Sequence, residues 1–370
     1  MKKKLFIISS SVVTIEAFLL DHIKILNFFF DITVISNFYD NKKTIPGIKK
    51  YNINFDRKIN ILRDFLAFFY LFCYQLNNRP DIVWTISPKA GFLGMLSSFI
   101  LNINCRIHIF TGQVWANKIG FYKWFLKNID KIITKLSNIV LCDGQEQRKF
   151  LISNNFKKSI QVIGRGSVCG VDLQTFKPSV AIRRRYRNKL KISEREIVLI
   201  YTGRLCAEKG ILNLVNVFNK LEDFKIKLLI IGRDEEGIKK ESLKILKKKI
   251  RNVQFINFTN NVAYYLNCAD IFCMPSEREG FGVSVAEAMA CELPIVGTNI
   301  YGLKDLLINN YNSITYNSDN IAEMSEAILK LIQNKKLRSQ LGKNGRKLIV
   351  KYYGKDKVAE AYKLFFKSLI

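Results

Sequence analysis

The sequence predicts an α/β chain of two domains, each built on a parallel sheet covered by helices on both faces. Three observations predict it. At 370 residues the chain exceeds one ordinary domain. Short, continuous apolar runs alternate with longer helical patterns along both halves, as buried parallel strands alternate with their crossover helices. Between the halves, residues 164–192 break the alternation with Gly164, Gly166 and Gly170, then Phe176-Lys177-Pro178 and the run Arg183-Arg184-Arg185-Tyr186-Arg187.

In the first half, strands are expected at 5–8, 32–35, 49–55, 81–86, 106–110, 138–142 and 160–163. Helices are expected at 15–29, at 60–76 (unusually aromatic), from a Ser87-Pro88-Lys89 loop to 101, at 121–136, and up to about 153. The second half restarts with strands at 197–201, 227–231, 253–256, 271–274 and 295–296, and helices at 210–221 and 238–250. Three helices close the chain, at 320–333, 336–350 and 357–370. The pattern divides it into a Rossmann-like domain at 1–175, a linker at 176–192, a second Rossmann-like domain at 193–352 and a terminal helix at 353–370. The arginine run reads as a solvated helix face. Two such halves place a ligand in a cleft between them, beyond the C-terminal ends of the strands.

Composition narrows the function. The net charge of +28 suits nucleic acid, an anionic membrane surface, or simply a lysine-biased genome. No nucleic-acid-binding module is visible, so no nucleic-acid partner is expected. The eight cysteines are scattered without a C-x-x-C pair, and there are two histidines, so no metal site is expected and a reducing cytoplasm is the simplest setting. The apolar run after Lys2-Lys3-Lys4 is too short for a signal peptide, and the apolar run 65–74 is too short to span a bilayer.

Two stretches carry chemistry. In the second half, an apolar run leads into Pro275-Ser276-Glu277-Arg278-Glu279-Gly280-Phe281-Gly282-Val283 and an alanine-rich helix containing Glu287. A strand, a glycine turn and a helix start let backbone N–H groups approach a phosphate. Glu279 in the loop and Glu287 one turn into the helix could hold two hydroxyl-bearing parts of one ligand. Gly203-Arg204-Leu205-Cys206-Ala207-Glu208-Lys209-Gly210 follows the first strand of the same half. Arg204, as a fork, and Lys209, as a point charge, could neutralise a diphosphate, or be solvated loop cations. Both stretches fall on one sheet edge, which favours the first reading.

With these residues in view, the chain resembles a family 4 glycosyltransferase of the two-Rossmann (GT-B) type along essentially its whole length. Gly203-Arg204-Leu205 with Glu208-Lys209-Gly210, and Glu279 with Glu287, carry the resemblance most specifically. Gly170-Val171-Asp172, Phe176, Pro178 and Ser87-Pro88-Lys89-Ala90-Gly91 support it. Thr111-Gly112-Gln113-Val114-Trp115 resembles bacterial members that build capsule or O-antigen. The resemblance implies a retaining, metal-independent hexosyl- or N-acetylhexosaminyltransferase without a cofactor. Its co-substrate would be a nucleotide-sugar, by family habit a UDP-sugar, and its acceptor a polyprenyl-diphosphate-linked saccharide at the inner face of the cytoplasmic membrane. It implies that Arg204 and Lys209 hold the donor diphosphate, Glu279 the sugar hydroxyls and Glu287 the ribose, with the Gly280-Phe281-Gly282-Val283 backbone against sugar and phosphate. Lys89, Thr111 and Gly112 are placed on the acceptor side, and the terminal helix is expected to cross back to the first domain. A sugar-nucleotide epimerase shares the architecture, and a non-catalytic basic nucleic-acid binder is the rival from another class.

Two departures from that family stand out. The loop matching a first-domain histidine is Thr111-Gly112-Gln113, and His108 reads as a packed strand residue; Ser9-Ser10-Ser11 replaces the usual glycine pair, and His22 reads as structural. Lys118, Lys123, Lys127, Lys131 and Lys135 recur along one helix with Phe121, Trp124 and Phe125 on other faces. Such a helix either lies in a bilayer interface or packs its apolar side on the sheet.

Overall fold

The structure is a computed structural model; it describes residues 2–38, 48–56, 59–156, 159–221 and 224–370. The chain divides into two compact units, Met1–Gly170 with Asp356–Ile370, and Val171–Lys355.

The first unit holds a parallel seven-stranded sheet: β1 (Lys3–Ser9), β2 (Phe30–Ser36), β3 (Lys49–Asn52), β4 (Ile82–Ile86), β5 (Cys105–Phe110), β6 (Ile139–Cys142) and β7 (Ile160–Gln161). Their spatial order is β3-β2-β1-β4-β5-β6-β7. The order reverses between β1 and β4, where ligands gather in open α/β sheets. The apolar runs are strands because both faces are covered. Ile7 pairs with Val34 on one side and Trp84 on the other, and all three are fully buried.

Over one face, Tyr362 and Phe366 of the helix Lys355–Lys367 stack on Trp84 at 5.9 and 4.9 Å. The other face is covered by the helices Ile61–Asn78, Pro88–Ile100 and Gly120–Leu136, through Ala67, Leu71, Ala90, Leu93 and Ile133. The helix expected at 15–29 is broken into a turn at Val12–Thr14, a π-helical turn at Ile15–Leu19 and a helix at Leu20–Leu26. The expected Ser87-Pro88-Lys89 loop is instead a helix start. Pro88 is the first helical residue, where its missing N–H costs nothing.

The second unit holds a parallel six-stranded sheet: β8 (Ile197–Thr202), β9 (Ile226–Ile231), β10 (Val253–Ile256), β11 (Ile271–Met274), β12 (Ile295–Thr298) and β13 (Ser313–Tyr316). Their order is β10-β9-β8-β11-β12-β13, so the switch point lies between β8 and β11.

The segment 176–192 is not a free linker. It contains the helix Val180–Lys189 and belongs to this unit, whose boundary falls at Val171 rather than after residue 175. Its arginine run corrects the expectation of a solvated face. Arg184 and Arg185 are exposed, but Arg187 is completely buried. The Arg187 guanidinium donates to the carbonyl oxygens of Ser193 and Glu196 at 2.6 Å each and to Asp270 Oδ2 at 3.2 Å. Arg183 takes the other Asp270 oxygen at 2.8 Å. A guanidinium tolerates burial only when its fork is filled in this way. The chain closes the unit by pairing Val171 with Gly354, the Val171 N–H donating to the Tyr353 carbonyl at 2.8 Å.

Candidate active site

β8 and β11 are adjacent, so the loops that follow them meet at one sheet edge. After β8 the chain makes a short turn at Ala207–Lys209 and enters the helix Ile211–Lys220 through Gly210 at φ +64°. A Cβ at Gly210 would fall 2.1 Å from the Pro275 carbonyl oxygen, so only glycine lets the two loops close on each other. Lys209 therefore reaches the loop after β11. Its Nζ lies 2.7 Å from Glu279 Oε1 and 3.3 Å from the Arg278 carbonyl oxygen. Ser276 Oγ donates to the same Glu279 oxygen at 2.9 Å, and the Ser276 carbonyl accepts from Thr298 on β12.

The loop then turns through Gly280, the buried Phe281 and Gly282 at φ +78° into the helix Val283–Ala290. The first N–H groups of a helix have no acceptor within it, and these lie directly beyond Glu279. Glu287 stands one turn inside. Its side chain is half-buried, and desolvation alone pushes its carboxyl up to about 8.

Arg204 lies on the same edge, half-exposed, but is not idle. Its guanidinium forks between Glu235 Oε2 at 2.9 Å and Glu208 Oε1 at 3.1 Å. Burial pulls its pKa down; the Glu235 bond and the neighbouring carboxylates outweigh that and raise it. Glu208 is held in turn by Arg278, whose Nη2 lies 2.8 and 2.9 Å from its two oxygens. Burial raises the Glu208 pKa, but Arg278 and its neighbours bring it below the usual carboxylate range. Tyr201 donates its hydroxyl to the Arg204 carbonyl at 2.9 Å and fixes the loop.

The structure thus brings Arg204, Lys209, Glu279, Gly280, Phe281, Gly282, Val283 and Glu287 to the C-terminal edge of one sheet. Sequence reasoning assigned no role to Glu235, Ser276 or Arg278, although the last two stand inside the glycine-turn stretch itself. Glu208 was legible, since it stands four residues after Arg204. Glu235 lies just past β9, at the same edge, and only the topology shows it.

The acceptor-side residues belong to the first unit. Thr111 and Gly112 follow β5, with Gly112 buried. Lys89 sits in the first turn of its helix with Nζ 2.7 Å from Asp64 Oδ1, so it is a paired cation. Ser10 bonds Ser87 Oγ through its N–H and its hydroxyl at 3.2 and 2.9 Å, which joins the loops after β1 and β4. His108 is packed. Burial drives its pKa down to about 3, Thr85 Oγ1 lies 2.8 Å from Nδ1, and a Cβ on Gly91 would collide with its ring. His22 is equally structural, stacked on Tyr362 at 4.3 Å and bonded to the Val168 carbonyl, with its pKa lowered chiefly by burial. Among the described residues no cluster of His, Cys, Asp or Glu could hold a metal ion.

The model of the glycosyl transferases group 1 family matches residues 182–348. The chain is 26% identical to the capsular polysaccharide biosynthesis glycosyltransferase CapM of Staphylococcus aureus, over 92% of this chain and 90% of that protein. It is 24% identical to the N,N'-diacetylbacillosaminyl-diphospho-undecaprenol alpha-1,3-N-acetylgalactosaminyltransferase of Campylobacter jejuni, over 90% of this chain and 89% of that protein. Among solved structures, Anabaena HepE in complex with UDP and glucose superposes with a TM-score of 0.84, at 16% identity, over 99% of this chain and all of that one.

Proposed function

We propose that the chain, whose residues 182–348 match the glycosyl transferases group 1 family, is a glycosyltransferase of the capsule and O-antigen type that transfers a sugar from a UDP-sugar, with retention and without a metal. The acceptor in this reading is a polyprenyl-diphosphate-linked saccharide at the cytoplasmic face of the membrane, and the sugar is a hexose or N-acetylhexosamine. One observation carries the reading: Lys209 and Glu279 in contact at 2.7 Å, beside the start of the helix Val283–Ala290 and on the sheet edge that also bears Arg204. The HepE complex with UDP supports the nucleotide, and the diphospho-undecaprenol-specific relative supports the acceptor.

The chemistry follows from charge. As the glycosidic bond to the diphosphate breaks, negative charge grows on the leaving oxygen. Arg204, Lys209 and the helix N-terminus stabilise it without reorganising. Glu279 turns its free oxygen to the sugar hydroxyls while Lys209 and Ser276 hold the other. In this reading the leaving phosphate takes the acceptor proton.

A thermal-shift and calorimetric screen against nucleotide-sugars tests this. Selective stabilisation by UDP-sugars is expected. No stabilisation by any nucleotide-sugar would sink the reading, and rearrangement of the donor with no transfer product would replace it with an epimerase. A second expectation concerns Glu235, which occupies half of the Arg204 fork. Glu235→Gln should tighten UDP binding by about three- to fivefold, the scale of a solvent-screened ion pair. An unchanged Kd would show that Glu235 and phosphate do not compete.

A further inference from the structure

The first unit carries two helices that each bury one apolar stripe and present further apolar residues outward. The helix Ile61–Asn78 buries the stripe Ala67, Leu71 and Gln75, and Gln75 accepts the Ser97 and Ser98 hydroxyls at 3.1 Å each. Its opposite side presents Ile61, Leu62 and Phe65, which are 82, 79 and 64% exposed. A surface helix of a globular protein presents charged and polar residues on that outward face. The helix Gly120–Leu136 packs Ile129 and Ile133 inward and likewise presents apolar residues outward in its first turns. Phe121 and Trp124 are 75 and 61% exposed, and Ile119 just before it 88%. Of its lysines, Lys127 is partly covered: it donates to Asn154 Oδ1 at 2.9 Å and lies over the Trp115 ring.

Both helices pack on the helix Pro88–Ile100, whose residues 90–98 are buried or half-buried. One follows β3 and the other β5 in a parallel sheet, so both begin at the edge where the strands end. The Lys89–Asp64 pair ties the first turns of two of these helices together at that edge. Two apolar helix tips therefore stand beside Ser87, Thr111 and Gly112. Exposed apolar surface of this extent marks an interaction site.

We propose that these tips dock the chain on an anionic bilayer, with the first turns of Ile61–Asn78 as the inserting element. Charge chooses the occupant. A chain of net charge +28 repels a second copy of itself and is drawn to anionic lipid. Arg63 and Lys123 flank the tips, and Trp124 and Tyr122 are residue types of the membrane interface. No described helix is long and apolar enough to cross a membrane, so the helices lie in the interface. The proposal rests on the transferase reading in that a lipid-linked acceptor would then enter from the surface on which the enzyme sits.

The test needs no turnover. Trp84 and Trp115 are buried, which leaves Trp124 as the exposed one of three tryptophans. On vesicles of equal parts phosphatidylglycerol and phosphatidylcholine, its emission should shift to the blue and be quenched by brominated lipid, and the effect should weaken with salt. Leu62→Glu with Phe65→Glu, on the other helix, should lower vesicle partitioning by at least about thirtyfold, while UDP-sugar binding by the second unit stays unchanged. No binding to these vesicles, binding unaffected by the double substitution, or a dimer in sedimentation that the substitution disperses would each overturn it. Failure of donor binding with intact vesicle docking would count against the transferase reading alone.

Discussion

Glu279→Ala and Lys209→Ala are each expected to lower kcat/KM for sugar transfer by about 10²–10³-fold, the scale of losing one preorganised electrostatic contact in a transition state. The two side chains are 15 and 11% exposed and meet at 2.7 Å. Removing either therefore also strands a nearly buried charge, which costs about 3–5 kcal/mol of stability. The double substitution separates these effects. With both charges gone, the stability loss should be clearly smaller than the sum of the single losses, because the penalty in each single variant is that of its orphaned partner. Activity should not recover, since the sugar hydroxyls and the diphosphate each lose their own contact. Glu279→Gln keeps an acceptor for Ser276 and should melt closer to the parent while remaining impaired. Steady-state transfer rates and thermal melts of the parent and the four variants provide the check. A folded single variant within threefold of the parent would remove the pair from the reaction. Recovery of transfer in the double variant would make the pair a purely structural clasp.

The strands were legible because parallel strands buried on both faces leave continuous apolar runs, as Ile271–Met274 and residues 228–231 do. β13 was missed because Ser313–Tyr316 is short and polar at its start, and is defined by pairing with β12. The arginine run misled for a different reason. Periodicity describes a helix and its faces, but Asp270, which turns Arg183 and Arg187 inward, lies more than 80 residues away. The lysine-bearing helix shows the same limit. Its period was right, with Ile129 and Ile133 packed inward, but nothing in the period shows that Lys127 meets Trp115 and Asn154. At the site, motif spacing located the cations and the two glutamates. It could not show that Arg204 already holds Glu235 and Glu208, because that depends on which strand ends lie side by side.

Glu287 is expected to make donor binding release a proton and tighten with pH. In the free protein, burial raises its carboxyl from 4.5 to about 8, so at neutral pH most molecules carry it protonated. In the proposed reading the donor's ribose hydroxyls donate to this carboxyl, which favours the charged form and lowers its pKa on binding. Below about 8, binding must then expel close to one proton, and affinity should rise by up to about tenfold per pH unit before levelling off above that pH. The diphosphate of a nucleotide-sugar has no proton to lose in this window, so the slope belongs to the protein. Stability without ligand runs the opposite way. A carboxyl whose folded pKa is raised stabilises the fold below its unfolded value, and that contribution is lost as pH rises through about 8. The free protein's melting temperature should thus gain a falling component between pH 5 and 8, and a UDP-sugar should restore more stability at pH 8 than at pH 6. Glu287→Gln should flatten both trends and bind more weakly than the parent at high pH. Calorimetry in buffers of different ionisation enthalpy counts the proton directly. An affinity independent of pH between 6 and 8.5, with no buffer-dependent heat, would place the ribose elsewhere.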